Sequence, residues 1–189
     1  MSDNRRLWVI DGSYLYMGQS SVSPDYQFDY MRLRKKLEEE IGEFFQVYYV
    51  NAVPPQSEDH QDAFHTWLKS APPKGPNFQV KLFQVKGMRV VCPSCGNEFE
   101  KHAQKGVDVC IAQLMLTLLP RYDTLVLSSG DGDFMGVVDY VRNVMNKRVE
   151  LAVFHTGTSV DLQSLSDRVV WIDDFVQDVK KPSRNGGQL

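Results

Sequence analysis

The stretch Leu125-Val-Leu-Ser-Ser-Gly-Asp-Gly-Asp-Phe134 passes from a short apolar run through a tight glycine turn into an amphipathic pattern. Gly130 and Gly132 allow the backbone conformations that a turn from a strand into a helix often needs. If the apolar run is a strand of an α/β sheet, Asp131 and Asp133 lie at its carboxyl end, where ligands usually bind. Paired acids repel unless a cation or proton intervenes, so the turn suggests a divalent metal site. Ordinary turn chemistry, with Asp133 capping the following helix, is the alternative.

Two further aspartates stand at comparable places in the sequence. The apolar run 7–10 is typical of a strand buried on both faces, and Asp11-Gly12-Ser13 follows it at once. Asp11 therefore either caps a short helix or binds a metal ion. Asp108 lies in the first turn of a helix predicted over 107–119, where the helix dipole alone would favour an acid. Lys105 just precedes this helix and adds a cation.

The order of the remaining segments predicts an α/β fold with a mainly parallel sheet covered by helices on both faces. Apolar runs typical of strands alternate with amphipathic segments typical of helices, and a polar, Ser-rich connection follows Asp11. Besides 7–10, strands are expected at 47–53, 125–128, 149–154 and 169–172. Besides 107–119, helices are expected at 28–45, from Ser57 to the prolines at 72–73, and at 134–145, 160–166 and 173–179. The acids then gather at the carboxyl edge of the sheet.

A cysteine-containing segment interrupts this alternation. Residues 78–91 alternate apolar and polar side chains around Gly87, which predicts a β-ribbon rather than another central strand, within an insertion at about 80–104. The ribbon leads into Cys92-Pro-Ser-Cys95-Gly96, which is half of a zinc knuckle. His102 is the nearest third ligand, no fourth is evident, and Cys110 belongs to a helix face that packs into the core. A small loop with two free thiols is the preferred interpretation. His60 and His65 are expected on the surface.

Length and composition limit the class of protein. With 189 residues, 42% of them hydrophobic, the chain suits one globular domain over 1–181 and a disordered tail over 182–189. The net charge of -3 means that nucleic acid would have to bind at a local basic patch. The sequence contains neither a signal-peptide core nor an apolar stretch of about 20 residues, so we expect a cytoplasmic protein without membrane contacts.

Three motifs together resemble the NYN domain family, specifically its LabA-like branch, which is related to PIN-domain nucleases. They are Ile10-Asp11-Gly12-Ser13, Lys105-Gly106-Val107-Asp108-Val109 and Ser128-Ser129-Gly130-Asp131-Gly132-Asp133-Phe134. The resemblance implies a three-layer α/β/α sandwich with a PIN-like, Rossmann-like sheet. It also implies hydrolysis of RNA phosphodiester bonds by acids that bind Mg²⁺ or Mn²⁺, carried here by Asp11, Asp108, Asp131 and Asp133.

The chain departs from the family pattern at one position, and the roles of several residues stay open. Family members usually have Asn three residues after the first Asp, whereas this chain has Tyr14. We expect Tyr14, Lys105 and Ser129 to contact the substrate, which is expected to be single-stranded RNA, and a homodimer is compatible with the sequence. A non-catalytic RNA-binding or regulatory module is the main alternative. A phosphatase that uses a D-x-D pair is a weaker one, because such enzymes place the pair right after the first strand.

Overall fold

The centre of the molecule is a six-stranded sheet whose neighbouring strands all run parallel. The computed structural model describes residues 4–54, 59–103 and 105–182. Across the sheet the order is β3-β2-β1-β6-β7-β8. In that order the strands are Gln79–Gln84, Phe44–Val53, Arg6–Asp11, Thr124–Ser128, Arg148–Val153 and Arg168–Trp171. A separate two-stranded antiparallel ribbon consists of β4 (Lys86–Val91) and β5 (Glu98–Ala103).

The strand order reverses direction between β1 and β6. From β1 the chain adds β2 and β3 on one side and then returns to add β6, β7 and β8 on the other. In open α/β sheets a crevice forms at such a switch point, outside the carboxyl ends of the two strands. Ile10 of β1 is paired with Ser128 of β6, so Asp11 and Ser129 emerge side by side at that edge. The topology therefore brings together two motifs that are more than a hundred residues apart in sequence.

Helices cover both faces of the sheet and bury a separate apolar cluster on each. In chain order the helices α1 to α7 are Gly12–Val22, Tyr30–Ile41, Asp59–Lys69, Val107–Thr117, Met135–Asp139, Val160–Ser164 and Val176–Val179. Trp8 and Ile10 point to the cluster formed with α1, α2, α3 and α7, and Leu7 and Val9 to the cluster formed with α4, α5 and α6. The predicted sandwich of a parallel sheet between two helical layers is thus confirmed.

Two segments between β1 and β2 differ from the sequence prediction. The polar connection after Asp11 is the helix α1, so the alternative in which Asp11 caps a helix is confirmed. The sequence predicted no length for this helix, because its apolar face is weak. The helix predicted over 28–45 is shorter, since α2 ends at Ile41 and β2 begins at Phe44. Gly42, with a φ of 100°, ends α2 in a conformation that other residues rarely adopt. The periodic pattern had continued across this boundary, because strand residues at 44–45 also fit a helical spacing.

The ribbon prediction was wrong over its first half. Residues Gln79–Gln84 pair in parallel with β2 and form the edge strand β3 of the main sheet, and the ribbon comprises only β4 and β5. An edge strand has one neighbour and stays partly exposed, so it shows the alternation that an isolated ribbon also shows. Hydrophobic periodicity in the sequence therefore does not distinguish an edge strand from a strand of an isolated ribbon.

The other elements follow the prediction with shorter or subdivided helices. The segment predicted as a helix over 134–145 consists of a 3₁₀ turn at Gly132–Phe134, then α5, then a π-helical turn at Tyr140–Val144. The last predicted helix is likewise a 3₁₀ turn at Ile172–Phe175 followed by α7. Ser57 and residues 183–189 of the predicted tail lie outside the described residues. Among the helices of the described ranges, none combines the length and apolarity needed to cross a bilayer.

The expectation for His65 was wrong, whereas His60 is exposed as predicted. His65 is only 5% exposed and its ring packs near the rings of Tyr49 and Phe64. Burial lowers the pKa of the His65 imidazole, because the charged form loses hydration. The helix face that carries Phe64 and Leu68 extends to His65, which sequence reasoning placed in solvent.

Candidate functional site

Asp11 ends β1 and caps α1. It is only 8% exposed, and its Oδ1 accepts hydrogen bonds from the backbone N–H of Ser13 at 3.0 Å and of Tyr14 at 3.1 Å. The Ser13 hydroxyl donates a third bond to the same oxygen at 2.7 Å. These bonds satisfy N–H groups that a helix start leaves without partners, and they fix the carboxylate in one orientation. Both roles proposed for Asp11 remain compatible, since Oδ2 points toward the neighbouring strand end.

Ser129 connects Asp11 to the acidic turn after β6. It is fully buried, and its hydroxyl donates to Oδ2 of Asp11 at 3.2 Å. The same hydroxyl oxygen accepts the backbone N–H of Asp131 at 3.3 Å. Ser129 therefore bridges the ends of two adjacent strands, which is a positioning contact, and its expected contact with the substrate stays a prediction.

The turn after β6 is capped by Asp131, not by Asp133. Oδ1 of Asp131 accepts the backbone N–H of Asp133 at 2.9 Å and caps the 3₁₀ turn Gly132–Phe134. Asp131 and Asp133 are both exposed, so their carboxylates are accessible to ions and ligands. The sequence suggests an aspartate cap at this turn as one alternative, and the structure has one. The capping residue is Asp131 instead of Asp133, because the short 3₁₀ turn starts two residues earlier than the predicted helix.

Gly130 is required where this turn meets the loop after β7. A Cβ at Gly130 would lie 2.0 Å from the carbonyl oxygen of Gly157 and 2.7 Å from the Tyr14 ring. The carbonyl of Gly130 in turn accepts the backbone N–H of Ser159 at 2.9 Å. A side chain at this position would separate the two loops, so the glycine permits their close approach.

The charges of the other three aspartates influence the pKa of Asp108. It is exposed in the first turn of α4. Partial desolvation raises the pKa of the Asp108 carboxyl, and the negative charges of Asp11, Asp131 and Asp133 raise it further. Such Coulombic effects fall off with distance, so carboxylates from β1, α4 and the turn after β6 share one negative field. The convergence of all four aspartates on one metal site stays a prediction.

The same side chains do not form a closed ligand cage. Within the described ranges 4–54, 59–103 and 105–182, no three His, Cys, Asp or Glu side chains are grouped so that they could hold a metal ion. The four aspartates nevertheless offer only carboxylate oxygens, the ligands that Mg²⁺ and Mn²⁺ prefer. Their chemistry fits a hard divalent ion, while their arrangement is that of an open acidic edge.

Tyr14 faces the inside of this edge. Its hydroxyl accepts the backbone N–H of Phe154 at 2.9 Å and lies 2.7 Å from the Thr158 hydroxyl. Burial is the main cause that raises the pKa of Tyr14, and the charges of Asp173 and Asp11 contribute further. The phenol of Tyr14 thus fastens the loop after β7 to the start of α1.

Asn51 is a polar residue at this edge that sequence reasoning did not single out. It is the eighth residue of β2, next to β1, and its Nδ2 donates to the Tyr49 hydroxyl at 3.2 Å. Burial raises the pKa of Tyr49 to about 12, and the Asp11 charge acts in the same direction. The available signal was an amide near the carboxyl end of an otherwise apolar run, beside the strand that ends in Asp11.

The remaining predicted residues lie on other elements. Lys105 is exposed and stands directly before Gly106, the N-cap residue of α4. Cys92 and Cys95 lie in the turn between β4 and β5, and Cys110 packs half-buried against the core as predicted. His102 pairs with Gly87 near the other end of the ribbon, and its side chain lies outside what the structure describes.

The fold is a doubly wound α/β domain, and Asp11 and Asp131 closely follow the two strands at its topological switch point. The sequence model of the NYN domain matches residues 6–173, and the chain belongs to this family of PIN-like nucleases. No curated protein matches the chain. Among solved structures it resembles VPA0982, a protein of unknown function from Vibrio parahaemolyticus RIMD 2210633, with a TM-score of 0.69 and 24% identity. The match covers 96% of this chain and 99% of that one, and it shows the shared fold.

Proposed function

We propose that this protein hydrolyses phosphodiester bonds of single-stranded RNA at the acidic edge, with Mg²⁺ or Mn²⁺ as cofactor. The observation that carries the proposal is the placement of Asp11 and of the Asp131–Asp133 turn at two adjacent strand ends, joined through Ser129 at the switch point of the sheet. The raised pKa of Asp108, caused first by desolvation and then by the charges of Asp11, Asp131 and Asp133, agrees with it. Clustered carboxylates with perturbed pKa values in an α/β switch point are typical of functional sites. Membership of a family of PIN-like nucleases supports the same activity.

The four aspartates would hold the cofactor. A divalent ion bound there would supply Lewis-acid activation of water and charge neutralisation at the phosphate. Asp11 is the most rigid candidate ligand, because hydrogen bonds hold both of its oxygens. Asp108, Asp131 and Asp133 are exposed and can adjust their side chains to an ion or a ligand.

The neighbouring residues have supporting roles in this proposal. Ser129 keeps Asp11 and the Asp131 backbone in a fixed relation. Lys105 stands at the exposed start of α4, where the helix N-terminus also favours anions, and there it attracts the RNA phosphate. Local positive charge is needed, because a chain with a net charge of -3 does not attract RNA as a whole.

A non-catalytic RNA-binding module is the second candidate, and two observations favour it. The Tyr14 hydroxyl is bonded to the loop after β7 and offers no amide oxygen at the position where the family resemblance implies Asn. The aspartates also form an open edge, with no three-ligand group among the described residues. In this alternative the acids would tune binding without hydrolysis.

The variant Asp131→Asn distinguishes RNA hydrolysis from RNA binding without cleavage. Asn keeps an oxygen that can cap the 3₁₀ turn, so the fold should persist while the ligand charge is lost. We expect Mn²⁺-dependent cleavage of a fluorescent single-stranded RNA to fall about 100-fold or more. The matched control is Asp25→Asn, an exposed aspartate beyond the far end of α1, which should cleave as the wild type does. If the wild type binds RNA and cleaves none across Mg²⁺ and Mn²⁺, the binding module is correct.

A further inference from the structure

The turn of the ribbon holds two cysteine thiols in a geometry that favours metal binding. The backbone N–H of Gly96 donates to the Cys92 carbonyl at 2.9 Å, and Gly96 has a φ of 71°. The N–H of Cys92 donates to the Asn97 carbonyl at 2.9 Å and closes the turn. The left-handed conformation at Gly96 explains why glycine follows the second cysteine. Both thiols are thereby held on one tight turn, as two corners of a tetrahedral site require.

Backbone hydrogen bonds prepare Cys92 for a cation. The N–H groups of Ser94 and Cys95 are directed at the Cys92 sulfur. Hydrogen bonds to a thiolate stabilise its charged form, which is the form that binds metal. Two thiolates select a thiophilic ion such as Zn²⁺ over Mg²⁺ or Mn²⁺.

The ribbon separates His102 from this pair. In the antiparallel register Val91 faces Glu98 beside the turn, whereas Gly87 faces His102 near the other end. Four residues along a strand span roughly 13 Å at about 3.3 Å each, which is too far for one ion to be shared. In the described part of the chain, no third His, Cys, Asp or Glu completes a metal-binding group with the two thiols. Structural zinc sites nevertheless have four protein ligands.

We propose that Cys92 and Cys95 are half of a Zn²⁺ site, which the same two cysteines of a second copy of this chain complete. The turn is accessible to a second copy, because residues 93–98 are exposed at the end of the ribbon. Val91, directly before the pair, is 55% exposed and offers an apolar surface that a partner ribbon would cover. Two identical turns related by a two-fold axis would supply four sulfurs around one ion.

The experiment measures metal content and molecular mass on the same untagged, reduced full-length protein. We expect one zinc ion per two chains by elemental analysis, and a twofold higher mass by light scattering that is lost on adding a chelator. Co²⁺ in place of Zn²⁺ should give the absorption of a four-thiolate tetrahedral site. One zinc per monomer, or zinc-free protein with reduced thiols or a Cys92–Cys95 disulfide, would overturn the proposal.

Single substitutions identify the zinc ligands, and the measurements on these variants do not require RNA cleavage. Cys92→Ser and Cys95→Ser should each lose zinc and dimerisation, while far-ultraviolet circular dichroism stays unchanged because the turn is exposed. Cys110→Ser is the matched control, since this thiol lies on α4 and should leave zinc and mass unaltered. His102→Ala should also retain zinc and mass, and loss of zinc in that variant would show that the ligand set proposed here is wrong.

Discussion

Replacing Asp11 by Asn or by Ala separates its capping role from its charge. Three donors converge on Oδ1 of Asp11, two of them the backbone N–H groups of Ser13 and Tyr14. Asn caps helices about as well as Asp, so Asp11→Asn should change the free energy of unfolding by less than about 1 kcal/mol. Loss of one charge from the acidic edge also reduces repulsion.

The substitution Asp11→Ala removes the helix cap and leaves buried hydrogen-bond donors without partners. A lost cap costs about 0.5 to 2 kcal/mol, and the unsatisfied Ser129 hydroxyl adds to it, so we expect a total of about 2 kcal/mol for Asp11→Ala. For a chain of 189 residues this corresponds to a melting temperature lower by about 4 to 8 °C. Both variants should lose Mn²⁺-dependent RNA cleavage, because both lack the carboxylate.

The assay is thermal unfolding by circular dichroism, with and without Mn²⁺, beside RNA cleavage. Added Mn²⁺ should raise the melting temperature of the wild type and raise those of the two variants less, because a ligand that binds the folded state stabilises it. Equal destabilisation by Asn and Ala would refute the capping argument. Wild-type cleavage by Asp11→Asn would refute the assignment of the site.

Two further predictions concern the same edge of the sheet. Gly130→Ala places a Cβ 2.0 Å from a backbone carbonyl oxygen, so we expect a loss of about 1 to 3 kcal/mol in urea unfolding. Gly136→Ala, which meets no atom within 4 Å, is its control and should be neutral or stabilising, and equal losses would contradict the close approach. Asp108→Asn should stabilise the protein at pH 7, because a raised pKa in the folded state means that the ionised form is destabilising. This gain should disappear below about pH 4, where Asp108 is protonated in the unfolded chain also, and a gain independent of pH would exclude the charge repulsion.

The sequence by itself determined the layers of the fold and the places of Asp11 and Asp131 at the edge of the sheet. Apolar runs such as Leu125–Leu127 must be buried on both faces, and only a sheet between helices provides that environment. Acids that directly follow such runs lie at the carboxyl edge whatever the strand order is, so the sequence was sufficient to assign Asp11 and Asp131 to that edge. The proposed role of Asp108 rested on the combination of the three motifs.

Tertiary structure alone decided the details that depend on neighbours. The strand order placed Ser129 beside Asp11 and buried it between the two strand ends, although a serine after a strand carries no signal of that role. The edge position of Gln79–Gln84 and the burial of His65 likewise depend on which element packs against each segment. The pairing register of the ribbon moved His102 away from Cys92, because registry is set by cross-strand partners and not by separation along the chain.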